Sequence, residues 1–391
     1  MKHARALVMP EILTWARTTA GLTIEEASKA LQTKHDNVLA WEKGEKQPSM
    51  PQLRKMATTY KRLLSDFYLP KAPETVPFPH DFRRLPGEVA QVYSRELRFE
   101  LRAAAERRKV AIDLLEELDT RPQRFKFKIA ATDRPESAAS KIRDYLNVTY
   151  AEQNKWRESR VHYNSWRSKI EAAGVLVFQI ASVSVTQMLG FSFSDRPLPV
   201  IAINRKLKPN GRTFTMLHEY AHVLLGENCL CDLDEDSLRP PQEQKVEVFC
   251  NAVAAAILMP RHDFLAHEIV AAKRPSSEDW TEHELAALCR SFGASEEAVL
   301  RRLLTFSRTT EAFYRAKRAE IQARNKALEQ KKENTDFKRN MPLEVVSNLG
   351  RPFTQIVLNT YDYDRLSLSD VSRFLGLRAG QVPTVRELVE R

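Results

Sequence analysis

Between Met216 and Gly226 the chain reads Met-Leu-His-Glu-Tyr-Ala-His-Val-Leu-Leu-Gly, and the spacing of His218, Glu219 and His222 restricts what this stretch can be. On a helix, positions i and i+4 stand one turn apart on one face. Both imidazoles then reach a single tetrahedral metal ion, and the carboxylate beside the first faces a water held by that ion. Zinc suits this donor set. It lowers the pKa of such a water to about 7, and a carboxylate in hydrogen-bond reach takes the proton as the water attacks a carbonyl. His218 and His222 are therefore candidate zinc ligands, and Glu219 is the candidate general base.

A short motif needs a third protein ligand, and Glu247 supplies it, 25 residues after His222. It lies in Lys245-Val-Glu-Val-Phe-Cys-Asn-Ala-Val-Ala-Ala-Ala-Ile-Leu-Met-Pro260, an Ala-rich apolar stretch that predicts a second buried helix. Two His and one Glu form a catalytic zinc set with one position left open. Asn251 shares the face of Glu247 at i and i+4, either orienting the carboxylate or packing between helices. His262, just past Pro260, is either a donor to the oxyanion of the tetrahedral intermediate or a surface residue.

The run Phe214-Thr-Met-Leu-His-Glu-Tyr-Ala-His222, with Glu247-Val-Phe-Cys-Asn251 and Leu258-Met-Pro260, resembles the ImmA/IrrE family of bacterial metallopeptidases over roughly residues 170 to 265. The resemblance implies a gluzincin-like endopeptidase with zinc on His218, His222 and Glu247 and the base at Glu219. Three β-rich stretches lead into this helix: Gly174 to Ile180, Leu189 to Phe193 and Val200 to Asn204. Pro199 to Asn204 is the candidate sheet edge for holding a substrate backbone, with an ordinary core strand as the alternative.

At 391 residues and 44.9 kDa the chain exceeds one ordinary core. Its mean hydropathy of −0.44 and the lack of a long apolar run or signal-peptide pattern predict a soluble, cytoplasmic protein with no membrane partner. The four cysteines are too few for a disulfide scaffold. Cys229 and Cys231, just beyond the metal-binding helix, are open to two readings: a thiol sensor or inhibitory ligand, or reduced loop thiols. A net charge of +10 makes nucleic acid a plausible partner.

The N-terminal segment predicts helices over 10 to 19, over Gly21 to Leu31 with Thr23 and Glu26 as a capping box, and from His35 to Lys43. Leu22, Ala27, Leu31, Val38 and Trp41 have the spacing of a helix-turn-helix core, and Trp41-Glu-Lys-Gly44 before Pro48 resembles the Cro/repressor-like (XRE) family over about residues 8 to 68. In such a fold Lys34, His35 and Asn37 would meet the bases of an operator, and a homodimer would read a two-part site. Gln32 stands where Gly is common, Ile24 replaces a usual polar residue, and Asp36 adds a negative charge, so a helical module for protein contact is the competing reading.

Five segments are expected: 1–69 helix-turn-helix; 70–93 Pro-rich linker, with Phe82 as a docking anchor; 94–270 helical lead-in and zinc peptidase; 271–307 a second helix-turn-helix-like segment; and 308–391 a basic arm with a C-terminal helical module. Helices are expected over 94–118, 136–146 and 152–172. Glu296 and Glu297 favour packing over phosphate contact in the 271–307 segment. The basic arm, with Lys326, Lys331 and Lys332, either touches nucleic acid or is a solvated linker. The fold class is mainly α with a small β-sheet, an α+β zincin-like domain joined to an all-α module. The function expected is a DNA-binding regulator that cleaves a repressor or partner protein in stress, mobile-element or toxin–antitoxin control. The alternative is a non-enzymatic antitoxin-type regulator whose zinc is structural.

Overall fold

The computed structural model describes residues 4–73, 80–81, 93–122, 125–231, 241–330 and 340–390, with side chains described for all of these but 80–81, 231, 241–243 and 326–330. The fold is mainly α-helical with one small mixed sheet. Two compact units emerge: Met1–Phe78 with Gly87–Glu106, and Pro79–Pro86 with Arg107–Arg391. The segments expected as separate pieces after residue 270 thus fall in the same unit as the zinc motif.

In the first unit, α1 (Pro10–Thr19), α2 (Ile24–Leu31), α3 (His35–Glu42) and α4 (Met50–Tyr60) enclose a core that includes Ala27, Leu31, Val38 and Trp41, with Leu22 packed at its margin. The expected capping box of α2 forms: Thr23 accepts from the Glu26 amide, and Glu26 from that of Thr23. Arg17 of α1 makes a bidentate pair with Glu42 of α3 at 2.7 and 2.9 Å, tying these helices together. Gln32 closes α2 in the left-handed region at φ 52°, the conformation for which Gly is commonly used.

Helix α5 (Arg95–Glu117) crosses the division between the units. The expected 152–172 helix is broken into α7 (Tyr150–Gln153) and α8 (Ser159–Ala172), after α6 (Pro135–Tyr145).

The sheet has the order β1-β5-β3-β4-β2, with β1 His80–Asp81, β2 Leu176–Ile180, β3 Gly190–Phe193, β4 Val200–Asn204 and β5 Cys229–Cys231. Strand β4 is parallel to β2 on one side and antiparallel to β3 on the other. It is buried throughout. Its backbone groups are therefore already spent on neighbours, and the expectation that Pro199 to Asn204 offers an edge for substrate is corrected: this is a core strand. Strands β1 and β5 were not expected. β1 lies inside the segment read as a linker, and β5 turns the presumed loop cysteines into sheet residues. Phe82 lies outside the described residues.

Helix α9 (Pro209–Leu225) runs against β3 and β4, with α8 and α10 (Pro241–Leu258) beside it. Proline suits its first turn, and Thr213 to Leu224 are almost all buried, as befits a helix in the middle of a unit. The C-terminal end of α10 is capped by distant side chains. Arg143 donates to the Ile257 carbonyl at 2.6 Å, Gln153 to that of Leu258 at 2.8 Å, and Arg302 to that of Met259 at 2.6 and 3.0 Å. These carbonyls lack intrahelical partners, and two of the donors are cations at the negative end of a helix dipole.

Beyond α11 (Arg261–Ala266) and α12 (Glu268–Ala271), α13 (Glu282–Phe292) and α14 (Glu296–Thr305) bury Leu285, Leu288, Phe292, Val299, Leu300 and Leu303 in the main core, as the packing alternative requires. The basic arm is a helix, α15 (Glu311–Gln330), held to that core through Tyr314 and Ile321. Arg318 pairs with Glu297 at 2.5 Å and Arg324 with Glu296, both acids of α14, while Arg315 and Lys317 pair with Glu311 and Glu320 of the helix itself. It is therefore anchored along one side, while most of its other described side chains are exposed. Lys331 and Lys332, and the side chain of Lys326, lie outside what is described. The chain ends in α16 (Met341–Leu349), α17 (Arg351–Asp362), α18 (Leu368–Leu375) and α19 (Val382–Glu390).

Candidate metal centre

One turn of α9 separates His218 from His222, and their Nε2 atoms approach to 3.1 Å. Helix α10 brings Glu247 against both: Oε1 lies 3.1 Å from His222 Nε2, and Oε2 lies 3.4 Å from His218 Nε2. All three side chains are buried. Zinc bonds to nitrogen and carboxylate oxygen are about 2.0–2.2 Å, so the donors of a tetrahedral site stand about 3.3–3.5 Å apart. Two of the observed separations, at 3.1 Å, are slightly shorter than this and the third, at 3.4 Å, matches it, so small side-chain shifts would seat a metal ion among the three.

A fourth donor joins them. Gly226 ends α9 in the left-handed region at φ 83°, reversing the chain, and Cys229 comes back beside the histidines. Its Sγ lies 3.6 Å from Glu247 Oε1, and the donor atoms of His218, His222, Cys229 and Glu247 all fall within 4.8 Å of one another. Among the described residues this is the cluster able to hold a metal ion.

The electrostatics suit such an ion. Burial works against a charge on His218, but Glu247 and Cys229, with Glu219, outweigh it and push the imidazole well above the usual histidine range. Burial likewise raises the Glu247 carboxyl, yet His218 and His222 pull it well below the usual carboxylate range. The Glu247 carboxylate is thus held ionised, and a metal cation bound here would take the place of the proton on His218. Burial, followed by the negative field of Glu247, pushes the Cys250 thiol well above its usual range, so it stays protonated.

Glu219, completely buried, accepts a hydrogen bond at 2.9 Å from Ser192 Oγ of β3. Gly190, two residues earlier on the same face of the strand, leaves room for the carboxylate. A Cβ there would stand 2.9 Å from Glu219 Oε1. Sequence reasoning found neither residue, because their link to Glu219 arises only when β3 packs on α9.

His262 is not brought to the cluster: its side chain is 94% exposed, beside Asp263. Asn251 follows Glu247 by one turn of α10 and is half-buried. In the other unit, Lys34 caps the start of α3 and is exposed, as is His35, whose Nε2 lies 3.2 Å from Glu25. Asn37 donates to Thr33 Oγ1 at 3.1 Å.

Residues 170–304 match the model of a peptidase family described as the IrrE N-terminal-like domain. This segment is homologous to the IrrE/ImmA-like metalloproteases. Over 63 residues the chain is 41% identical to "Radiation response metalloprotease IrrE" of Deinococcus deserti, which covers 16% of this chain and 22% of that protein. Over 63 residues it is 43% identical to the protein of the same name from Deinococcus radiodurans, covering 16% of this chain and 19% of that one. The chain therefore spans about a fifth of the length of these curated relatives. Both the match to the peptidase family and the donor cluster fall inside the second unit.

Proposed function

We propose that this chain is a zinc-dependent endopeptidase that cleaves a repressor or partner protein, with its N-terminal unit acting as the DNA-binding part of a regulator. The observation that carries this is the meeting of His218, His222 and Glu247 within 3.4 Å of one another beside a buried carboxylate, Glu219, that is itself positioned by Ser192. Zinc bound there supplies a Lewis acid and lowers the pKa of water it holds to about 7. Glu219 takes the proton of the attacking water and returns it to the departing amine nitrogen. Ser192 fixes one oxygen of that carboxylate, so the base is aimed before substrate arrives.

The Deinococcus relatives carry the name of radiation response metalloproteases, and control of a stress or mobile-element response by cleavage of a repressor agrees with it. A toxin encoded nearby is the other partner to consider. Lys34, His35 and Asn37 at the start of α3 are the side chains assigned to DNA.

A second reading has its own support. Four protein donors around one ion are the pattern of a structural zinc site, and Cys229 completes such a set. A non-enzymatic regulator would then use the domain only as scaffold. Against it stands Glu219, a completely buried carboxylate that a structural site has no use for.

Two variants decide between them. His222→Ala should lose the zinc, about one ion per chain, that the wild type carries. Glu219→Gln should keep the ion and lose about 10²-fold or more in hydrolysis. Mapping protein N-termini in cells producing wild type or Glu219→Gln should reveal cleavage products that depend on Glu219. Identical sets would favour the scaffold reading.

A further inference from the structure

We infer that Cys229 is a fourth and removable ligand of the metal centre, and that the site as folded is closed: the sulfur fills the position that hydrolysis needs for water. This rests on the metallopeptidase reading proposed above.

Three observations converge on it. The first is distance. A zinc–sulfur bond of about 2.3 Å and a zinc–oxygen bond of about 2.0 Å place tetrahedral donors about 3.5 Å apart. Cys229 Sγ donates to Glu247 Oε1 at 3.6 Å, and all four donor atoms lie within 4.8 Å of one another, so a small inward shift closes the set on one ion. The second is register. Cys229 pairs with Ser192 across the antiparallel β3–β5 ladder, so both side chains leave the same face of the sheet. Ser192 reaches the general base and Cys229 reaches the ligands. The aim of the thiol is thus set by backbone pairing as well as by a rotamer. The third is chain geometry: the left-handed turn at Gly226 is what returns the chain toward the histidines it has just left.

A closed four-donor set is idle chemically, yet the same site holds a positioned base. Both features are expected of a peptidase kept latent. Opening is a ligand exchange in which the Cys229 sulfur leaves, takes up one proton from solvent, and gives its place to water. No electron is transferred. Cys229 lies on β5, paired with β1 and β3 and separate from α9 and α10, so a change of its side-chain rotamer alone moves the sulfur off the ion and leaves the other three ligands in place.

The test uses the full chain loaded with Co²⁺ alone. The wild type should bind about one cobalt per chain and show intense thiolate-to-cobalt charge-transfer absorption in the near ultraviolet. In Cys229→Ser and Cys229→Ala that absorption should vanish while cobalt remains, held about 10-fold or more weakly in competition with a chelator. Circular dichroism melts would show both variants folded. With zinc in place, Cys229→Ala should digest casein about 10-fold or more faster than the wild type, and Glu219→Gln added to it should abolish the gain. Cobalt bound without the sulfur band, or a band that survives both substitutions, would remove Cys229 from the ligand set. A band that behaves as expected, with no gain in digestion, would refute latency. No cobalt in the wild type would instead overturn the metallopeptidase reading itself.

Discussion

Ser192 and Glu219 share a completely buried hydrogen bond, Oγ to Oε2 at 2.9 Å, between the third strand of the sheet and the helix that carries both histidines. Ser192→Ala removes that donor without changing the strand. The variant should keep its zinc, lose about 10-fold in hydrolysis, and lose about 1–3 kcal/mol of stability from a buried acceptor left short of a donor. Metal analysis and a urea titration on one preparation check both parts.

Gly190 is held to glycine by its neighbours and not by its backbone angles. A Cβ there would meet Glu219 Oε1 and Thr215 Cγ2 at 2.9 Å and the Ala202 carbonyl at 3.1 Å. Gly190→Ala should therefore cost about 1–3 kcal/mol through overpacking and reduce hydrolysis by displacing the base, with zinc retained. An unchanged melting temperature would mean that β3 gives way freely.

His162, which is not one of the donor residues, gives an acid-side sensitivity. Its Nε2–H donates to the Arg290 carbonyl at 3.3 Å, and its buried Nδ1 has no partner among the described residues. Gly293 packs so closely that a Cβ there would lie 2.4 Å from Nδ1. Burial pushes this imidazole below its ordinary value, with the Arg290 bond opposing only in part. The neutral form is thus favoured in the folded state. Its contribution to stability is complete above about pH 6.5 and is lost as pH falls from there through the folded-state value. Urea midpoints at about pH 7.5 and 5.5 should differ less for His162→Gln than for the wild type. Equal differences would discharge His162 from the effect.

For the N-terminal unit, the expected outcome is sequence-dependent. Asn37→Ala should cost about 1–3 kcal/mol at one position of a two-part operator and leave non-specific binding almost unchanged. Gel-shift titrations on the native upstream region and on random DNA, at two salt concentrations, measure it. Equal affinity for both DNAs, unaltered by the substitution, would make this unit a protein-contact module.

Much of this was legible in the sequence because it depends on local chemistry. The α2 capping box follows from Thr23 and Glu26, the buried helix from its apolar run, and the ligand pair from one helical turn. The three strands before α9 were readable from their β-branched and aromatic content. What escaped notice depends on pairing between distant segments. Ser192 meets Cys229 only through a ladder three residues long on the β5 side, too short for any periodic signal, and Gly190 is explained only by the helix lying over it. The role given to Pro199–Asn204 failed because an apolar strand looks alike whether it has one neighbour or two. Of the two readings of His262, the surface one agrees with its exposure, because closeness in sequence to Met259-Pro260 says nothing of which way α11 faces.

The carbonyls at the end of α10 set a boundary that the metal ligands alone would not reveal. A fragment cut to residues 170–265 would carry every donor atom, yet it would strip away Arg143, Gln153 and Arg302, and the helix bearing Glu247 would lose the side chains that fix its last carbonyls and open that end to water. Any transplant of this chemistry to another protein has to take the stretch from α6 through α14 with it. The heritable module is that whole stretch, and the five-residue motif is only its most visible part.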